Sequence, residues 1–375
     1  MNTFGLYVHV PFCGSICAYC HFARTATHDA AAREAYVAGV LREFELRRSH
    51  CPTLGGAGRP LATAYIGGGT PSQLEFPLME RLLEGTVGRC ARTDDFELTA
   101  EANPETFSVD LARAWREAGI TRVSLGVQSL DESVLRQLGR ACGPATARRA
   151  LALACAMFPR VSADWIIGPG VVLPALIAEL DEAVACGVEH VSLYILEVHE
   201  GTAMAARVGR GDVKLPPDSQ TARTYLAAAD RLASHGLAQY EVANFARPGG
   251  ESRHNRGYWQ RRPWLGLGPG AHGAWGRCRR ANHDAMADWL ADLERDRLPE
   301  ASVETLDVDS RRLERVVLAL RTRDGVPLDW LPAGALDLAR GQTEGLWRVA
   351  EGRLRLSGIG YLRIDTIEEA LARRL

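Results

Sequence analysis

The sequence predicts an α/β fold: a partial (β/α)6 barrel of the TIM-like kind, followed by a smaller, mostly helical C-terminal domain. Three observations lead there. Six short apolar runs with strand character alternate with helical stretches over roughly 200 residues, which is the pattern of a parallel sheet with crossover helices. The residues with most chemical character, among them Cys13, Gly68, Glu101, Gln128 and Asp164, fall at the C-terminal ends of those runs, where barrel proteins build their sites. Beyond about residue 300 the alternation stops, and an amphipathic helix, a short strand pair and a closing helix follow.

Residues 6–10 read as the first strand, with a cysteine-bearing loop behind it. Ala, Leu, Glu and Arg dominate 28–49, with apolar positions recurring at three and four, so a helix is expected there. Strands follow at 62–66, 96–102, 122–127, 161–167 and 190–196, with helices between them at 76–88, 108–118, 131–139, 144–157 and 174–186. Six units instead of eight imply a barrel left open at one side, where a large ligand can enter. Residues 200–216 read as irregular, 219–235 as a helix and 240–245 as a short strand that could end the sheet. These features divide the chain into a barrel over 1–245, a Gly- and aromatic-rich connecting segment over 246–299, and an accessory domain over 300–375. In the last, 309–322 reads as a helix, 346–349 and 354–357 as paired strands, and 365–374 as the closing helix.

Bulk properties narrow the class. Apolar residues make up 46% and charged residues 24% of 375, the balance of an ordinary globular protein. The net charge of −2 gives no electrostatic footprint for nucleic acid. No apolar run approaches the length of a membrane span. The N-terminal residues lack the basic-then-apolar layout of a signal peptide, so a cytoplasmic location is expected. Six of the nine cysteines, Cys51, Cys90, Cys142, Cys155, Cys186 and Cys278, have no paired spacing. They are expected to be free thiols packed as small apolar residues.

The remaining three organise the chain. Cys13, Cys17 and Cys20 form a CxxxCxxC pattern directly after the first strand. Three thiolates on one tight loop can hold three irons of a [4Fe-4S] cube, since soft sulfur suits this chemistry. The fourth iron then lacks a protein ligand and stands open to a cofactor, as catalytic zinc sites keep one position open. A structural zinc site is the competing reading, but zinc wants four ligands and no second Cys or His pair follows at finger spacing.

Further candidates lie on the later βα loops. Gly67-Gly68-Gly69-Thr70 follows a strand and precedes a helix, a place where glycine lets backbone groups approach a ligand. Glu101 could accept from ribose hydroxyls or be a solvated loop acid. Gln128, Arg140 and Asp164 share that ambiguity, Arg140 being suited to a carboxylate through its planar fork. Far along the chain, Ser252-Arg-His-Asn-Arg-Gly-Tyr-Trp259 precedes the glycine-rich run Trp264-Leu-Gly-Leu-Gly-Pro-Gly-Ala-His272. Histidine among aromatics and arginines is the chemistry of a heme site: imidazole ligates iron, rings stack on the macrocycle, and Arg pairs with propionates. A core aromatic cluster with one hydrogen-bonded histidine would look the same in sequence.

The motifs YVHVPFC, CxxxCxxC, GGGTPS, AEANPE, SLGVQS, YEVANFARPG, HNRGYW and GLGPGAH run in an order that resembles the HemW-type heme chaperones. These are radical S-adenosylmethionine proteins similar to oxygen-independent coproporphyrinogen III oxidase. The resemblance extends to LRTRDGV in the last domain. It implies a [4Fe-4S] cluster on Cys13, Cys17 and Cys20, whose open iron takes the amino and carboxylate groups of S-adenosylmethionine, together with an electron donor for the cluster. It implies cofactor contacts at Tyr7, Gly68, Gly69, Thr70, Glu101, Gln128, Arg140 and Asp164, and a heme contact at His254 within HNxxYW. The implied activity is delivery of heme to heme-accepting proteins such as respiratory cytochromes. The alternative is the oxidase itself, a radical-driven oxidative decarboxylation. Against that alternative, Phe22 stands where the oxidase has a further cysteine, and the oxidase's N-terminal extension has no counterpart ahead of Cys13. The chain departs from the chaperone pattern at His21, usually Asp, at Gly168-Pro169-Gly170, and at Glu197-Val-His-Glu200.

Overall fold

The computed structural model describes residues 3–26, 29–51, 55–56, 58–334 and 336–374. Its barrel half consists of β1 (Phe4–Val10), α1 (Ala30–His50), β2 (Leu61–Gly68), α2 (Phe76–Gly85), β3 (Arg92–Ala102), α3 (Val109–Glu117), β4 (Arg122–Gln128), α4 (Glu132–Leu138), α5 (Pro144–Met157), β5 (Arg160–Ile167), α6 (Leu173–Cys186) and β6 (His190–Ile195). β1 to β6 pair in chain order, all parallel. This is the partial (β/α)6 barrel expected from the alternation of strands and helices. Near-continuous burial of β1, β2 and β4 follows from their position between lumen and helices. Local signals set the helix ends. Asp29 caps α1 by accepting from the Ala32 amide at 2.8 Å, and Gly139 stops α4 in the left-handed conformation at φ 73°.

The sheet does not end at β6. After α7 (Ala203–Gly209) and α8 (Asp218–Ser234), a hairpin of β7 (Ala238–Glu241) and β8 (Asn244–Ala246) adds to β6 antiparallel. The single strand expected over 240–245 is thus two, split by Val242 and by Ala243 at φ 74°. Then α9 (Arg253–Trp259), β9 (Trp264–Leu267), β10 (His272–Trp275), β11 (Cys278–Asn282), α10 (Met286–Leu293) and β12 (Glu300–Thr305) follow. β9 runs parallel to β1, and β10 to β12 continue antiparallel to the other edge of a 12-stranded sheet. The connecting segment is therefore ordered sheet and helix, and the main sheet continues past residue 299.

The chain closes with α11 (Val308–Leu320), β13 (Val326–Pro327), α12 (Leu338–Thr343), β14 (Trp347–Ala350), β15 (Arg353–Leu356), α13 (Gly358–Tyr361) and α14 (Ile364–Ala372). β13, β15 and β14 form their own small sheet. Val316, Leu320, Val326, Trp347, Leu354, Leu356 and Ile367 bury a core distinct from that of the barrel.

Candidate functional site

The loop after β1 is clamped at its base. The Cys13 amide donates to the Thr25 carbonyl at 2.9 Å, and the Thr25 amide to the Pro11 carbonyl at 2.7 Å. Its far side is docked through Ala18, whose amide donates to the Leu138 carbonyl at 3.0 Å and whose carbonyl accepts from the Met204 amide at 2.7 Å. The approach to the end of α4 is close because residue 139 is glycine: a Cβ there would lie 3.0 Å from the Ala18 nitrogen. Cys13, Cys17 and Cys20 are carried on this frame, Cys13 buried and the other two half-buried, with the rigidity that a ligand-holding loop needs.

The second loop packs against the first. Gly68 has φ 110°, and a Cβ on it would meet the His9 ring at 2.8 Å. On Gly69 a Cβ would meet the backbone of Pro11 and Phe12 at 2.9 Å. The Gly69 amide donates to the Val10 carbonyl at 2.7 Å. Gly69 is demanded by contact between two backbones, and Gly68 by its positive φ and the His9 ring against it. Thr70 Oγ1 donates to Cys13 Sγ at 3.7 Å and accepts from Asn103 Nδ2 at 3.1 Å.

Arg140 ties three loops together. Its Nη1 donates to Cys17 Sγ at 3.3 Å, and its Nη2 to Asn103 Oδ1 and the Gly126 carbonyl at 2.9 Å each. Burial holds the Cys13 and Cys20 thiols above their ordinary range, so taking up metal here releases protons. Among the described residues, no three His, Cys, Asp or Glu side chains converge on a point that one ion could fill.

Two carboxylates face the cleft from the barrel. Glu101 accepts from the Tyr65 hydroxyl at 2.6 Å and the Gly68 amide at 3.2 Å. Burial raises its pKa to about 7 against the opposing pull of Tyr65, and nearby Asp164 adds to the rise. Asp164 is pushed up to about 6 by burial, with Ser192 and Ser124 hydroxyls opposing. Gln128, at the end of β4, has φ 67°, a conformation that costs a non-glycine residue ~1–2 kcal/mol. Cys13, Cys17, Cys20, Gly68, Gly69, Thr70, Glu101, Gln128, Arg140 and Asp164 all line one cleft of about 400 Å³ at the C-terminal end of the barrel.

Two residues expected at the site lie elsewhere. Tyr7 sits in the barrel wall, its hydroxyl 3.0 Å from His9 Nδ1 and its ring stacked on Tyr65 at 6.2 Å. His254 is at the opposite end of the barrel and differs from the sequence expectation in two respects. HNRGYW is a helix instead of a loop, because Ser252 caps it by accepting from the Asn255 amide at 3.3 Å. The imidazole is also buried with both nitrogens engaged: Nδ1 lies 2.8 Å from Thr63 Oγ1 and Nε2 2.8 Å from the Tyr258 hydroxyl. Burial, with Arg262 adding to it, lowers its pKa to about 3. In this conformation the ring pins α9 to β2 and offers no nitrogen to iron. The glycine-rich run behind it is structural as well. Gly268 has φ 95° with a Cβ position 2.5 Å from the His9 carbonyl, and its amide donates to buried Glu43 at 2.9 Å.

Several residues of consequence carried no signal that was read. His9 supports the glycine loop and lies 2.7 Å from the Ala23 carbonyl through Nε2. Asn103 bridges Thr70 and Arg140 and could have been weighed from AEANPE. The His21 and His199 rings meet at the cleft mouth, tilted 36° with centroids 3.7 Å apart, so two of the departures from the chaperone pattern touch each other. Phe22 is 55% exposed there.

Comparison with known proteins agrees with this architecture. The sequence model of the radical SAM superfamily matches residues 7–196. The heme chaperone HemW of Mycobacterium tuberculosis is 39% identical over 99% of this chain and 95% of its own length. HemW of Bacillus subtilis is 31% identical over 85% and 84%. The bovine mitochondrial radical S-adenosyl methionine domain-containing protein 1 is 34% identical over 87% and 70%. Among solved structures, the coproporphyrinogen III oxidase HemN of Escherichia coli superposes with a TM-score of 0.82 over 99% of this chain and 90% of that one, at 22% identity, which shows a shared fold. The clamped three-cysteine loop, the six parallel strands and the full-length relatives together establish that this chain belongs to the radical SAM superfamily and, within it, to the HemW heme chaperone family.

Proposed function

We propose that the chain is a heme chaperone that binds a [4Fe-4S] cluster, S-adenosylmethionine and heme, and hands heme to acceptor proteins, respiratory cytochromes among them. Cys13, Cys17 and Cys20 hold the cluster, which when bound supplies an open iron and a one-electron donor. The single observation that carries the cofactor half is the convergence of three cysteines, the Arg140 fork and the Glu101 carboxylate on one cleft. Arg140 holds the Cys17 sulfur in place on the loop. Gly68 and Gly69 present backbone close to the cluster loop and the cofactor's amino group. Glu101 accepts from ribose hydroxyls, with Tyr65 holding its other oxygen. Gln128 and Asp164 line the deeper wall. Tyr7 acts from behind, through His9 and Tyr65.

The heme half rests on the HemW relatives and on α9. His254 acts there as the pin that sets the helix on the barrel, and it contacts heme only in a state that gives up its bonds to Thr63 and Tyr258. The protein is proposed to work in the cytoplasm and to take electrons from a separate donor. No helix among the described residues is long and apolar enough to cross a membrane.

The test uses anaerobically reconstituted protein. Hemin titration should give a saturable Soret change, and S-adenosylmethionine with reductant and coproporphyrinogen III should give no protoporphyrinogen IX. Turnover of coproporphyrinogen III would overturn the chaperone reading in favour of the oxidase.

A further inference from the structure

A second cleft, of about 520 Å³, opens between the underside of the barrel and the C-terminal unit. α9, the β9–β10 turn region and α11 form its walls. Seven arginines line it against only two acids, Glu314 and Asp324. Four of the seven are committed. Glu314 takes both Arg261 and Arg279 at 2.7 Å, Glu251 takes Arg323 at 2.7 Å, and Arg353 donates to the Asp324 and Gly325 carbonyls. Arg256, Arg311 and Arg315 have no carboxylate partner among the described residues. Arg315 Nε is buried without a hydrogen-bond partner, and its guanidinium lies 3.8 Å over the Trp330 ring. Trp259 and Trp264 line the same space, and the Trp259 Nε1 donor is also buried and unpaired.

Flat aromatic walls together with planar cations that lack a carboxylate partner are complementary to one ligand chemistry: a flat, largely apolar ring system that carries carboxylates. The volume is that of an ordinary small-molecule site. Among the described residues, no His, Cys or Met lines the cleft. The one phenol, Tyr240, is occupied, its hydroxyl 2.9 Å from His190 Nε2 and accepting from the Ser252 amide at 3.2 Å.

We infer that this cleft is where the chain holds its tetrapyrrole, gripping the propionates through Arg256, Arg311 and Arg315 and the ring faces through Trp259 and Trp330, with no axial ligand to the metal. The inference rests on the heme-chaperone reading and deepens it. A macrocycle held by its edge and faces, and not by its iron, leaves the iron free for the acceptor protein to ligate, which is what a handover requires.

The experiment is a fluorescence and absorbance titration of the cluster-loaded full chain with hemin, metal-free protoporphyrin IX and protoporphyrin dimethyl ester. Hemin and the metal-free acid should bind within about threefold of each other. The ester should bind at least tenfold more weakly, because its carboxylates are blocked. The surface variant Arg256→Glu/Arg311→Glu/Arg315→Glu should weaken both acids at least tenfold while keeping cluster absorbance and circular dichroism. Undiminished binding by that variant, equal binding of acid and ester, or binding of hemin alone would overturn the cleft assignment and leave the heme-chaperone reading standing. If no tetrapyrrole binds the unaltered protein, both fall.

Discussion

Replacing Glu101 by Gln separates what this carboxylate does for the fold from what it does for the cofactor. In the cluster-free protein its pKa is raised from the ordinary 4.5 to about 7. A carboxyl raised in the folded state costs nothing below pH 4.5, where both states are protonated. Stability is lost as pH climbs from there to about 7, because only the unfolded chain ionises freely in that window. The full shift is worth ~3 kcal/mol. Glu101 lines an open cleft, so solvent screening lowers the expected gain from Glu101→Gln to about 1–2 kcal/mol above pH 8. For a chain of this size that is ~2 °C in melting temperature, shrinking to a fraction of that by pH 5. The same substitution removes the proposed charged acceptor for ribose hydroxyls, worth ~1.5–3 kcal/mol, and should bring roughly a 10- to 100-fold loss in S-adenosylmethionine affinity. Melting curves of the cluster-free protein at pH 5, 7 and 8.5 and cofactor titration of the reconstituted protein measure both. A variant with the wild-type pH dependence and undiminished cofactor binding would refute this account of Glu101.

Other perturbations probe the frame. Glu241→Gln provides a control: Glu241 is 1% exposed and burial raises it to about 8, with Asn244 opposing. The variant should be more stable than wild type by ~5 kcal/mol at pH 9, equal to it below pH 4.5, and normal in cofactor affinity; an unaltered pH 9 melt would contradict the cause assigned. Arg122, 1% exposed, donates to Glu97 at 3.0 Å and to the Gly250 carbonyl at 2.9 Å, so Arg122→Ala should cost ~3–5 kcal/mol in denaturant melts. Arg140→Lys loses the planar fork, and iron retention under a chelator challenge should fall several-fold; retention equal to wild type would show that Cys17 needs no such donor.

The barrel was legible because its signals are local. β1 to β6 are short apolar runs bounded by helices, and CxxxCxxC places three soft ligands within eight residues. α7 was overlooked, although Thr202 caps it by accepting from the Ala205 amide at 3.2 Å; Gly201, Gly209 and Gly211 around it read as loop. β9 and β10 escaped notice because they are four residues long and contain Gly266 and Gly273, so no alternation could develop. Gly266 is there because a Cβ would lie 2.0 Å from the His272 carbonyl, a contact invisible before the strands pair. The role of His254 depends on Thr63, 191 residues away. Its other partner, Tyr258, stands one helical turn on and was the available hint that HNRGYW is a helix with an internally satisfied histidine. The basic cleft draws its walls from α9 and α11, which only the tertiary fold brings together.

The account stands on a three-thiolate cluster with one iron left for the cofactor. Electron paramagnetic resonance of the anaerobically reconstituted, dithionite-reduced protein tests this directly. Chemical analysis of the sample should give about four irons and four sulfides per chain, and the spectrum a reduced cubane signal that changes on adding S-adenosylmethionine and disappears in Cys13→Ser, Cys17→Ser and Cys20→Ser. Bound zinc in place of iron, or a cubane signal indifferent to S-adenosylmethionine, would contradict it.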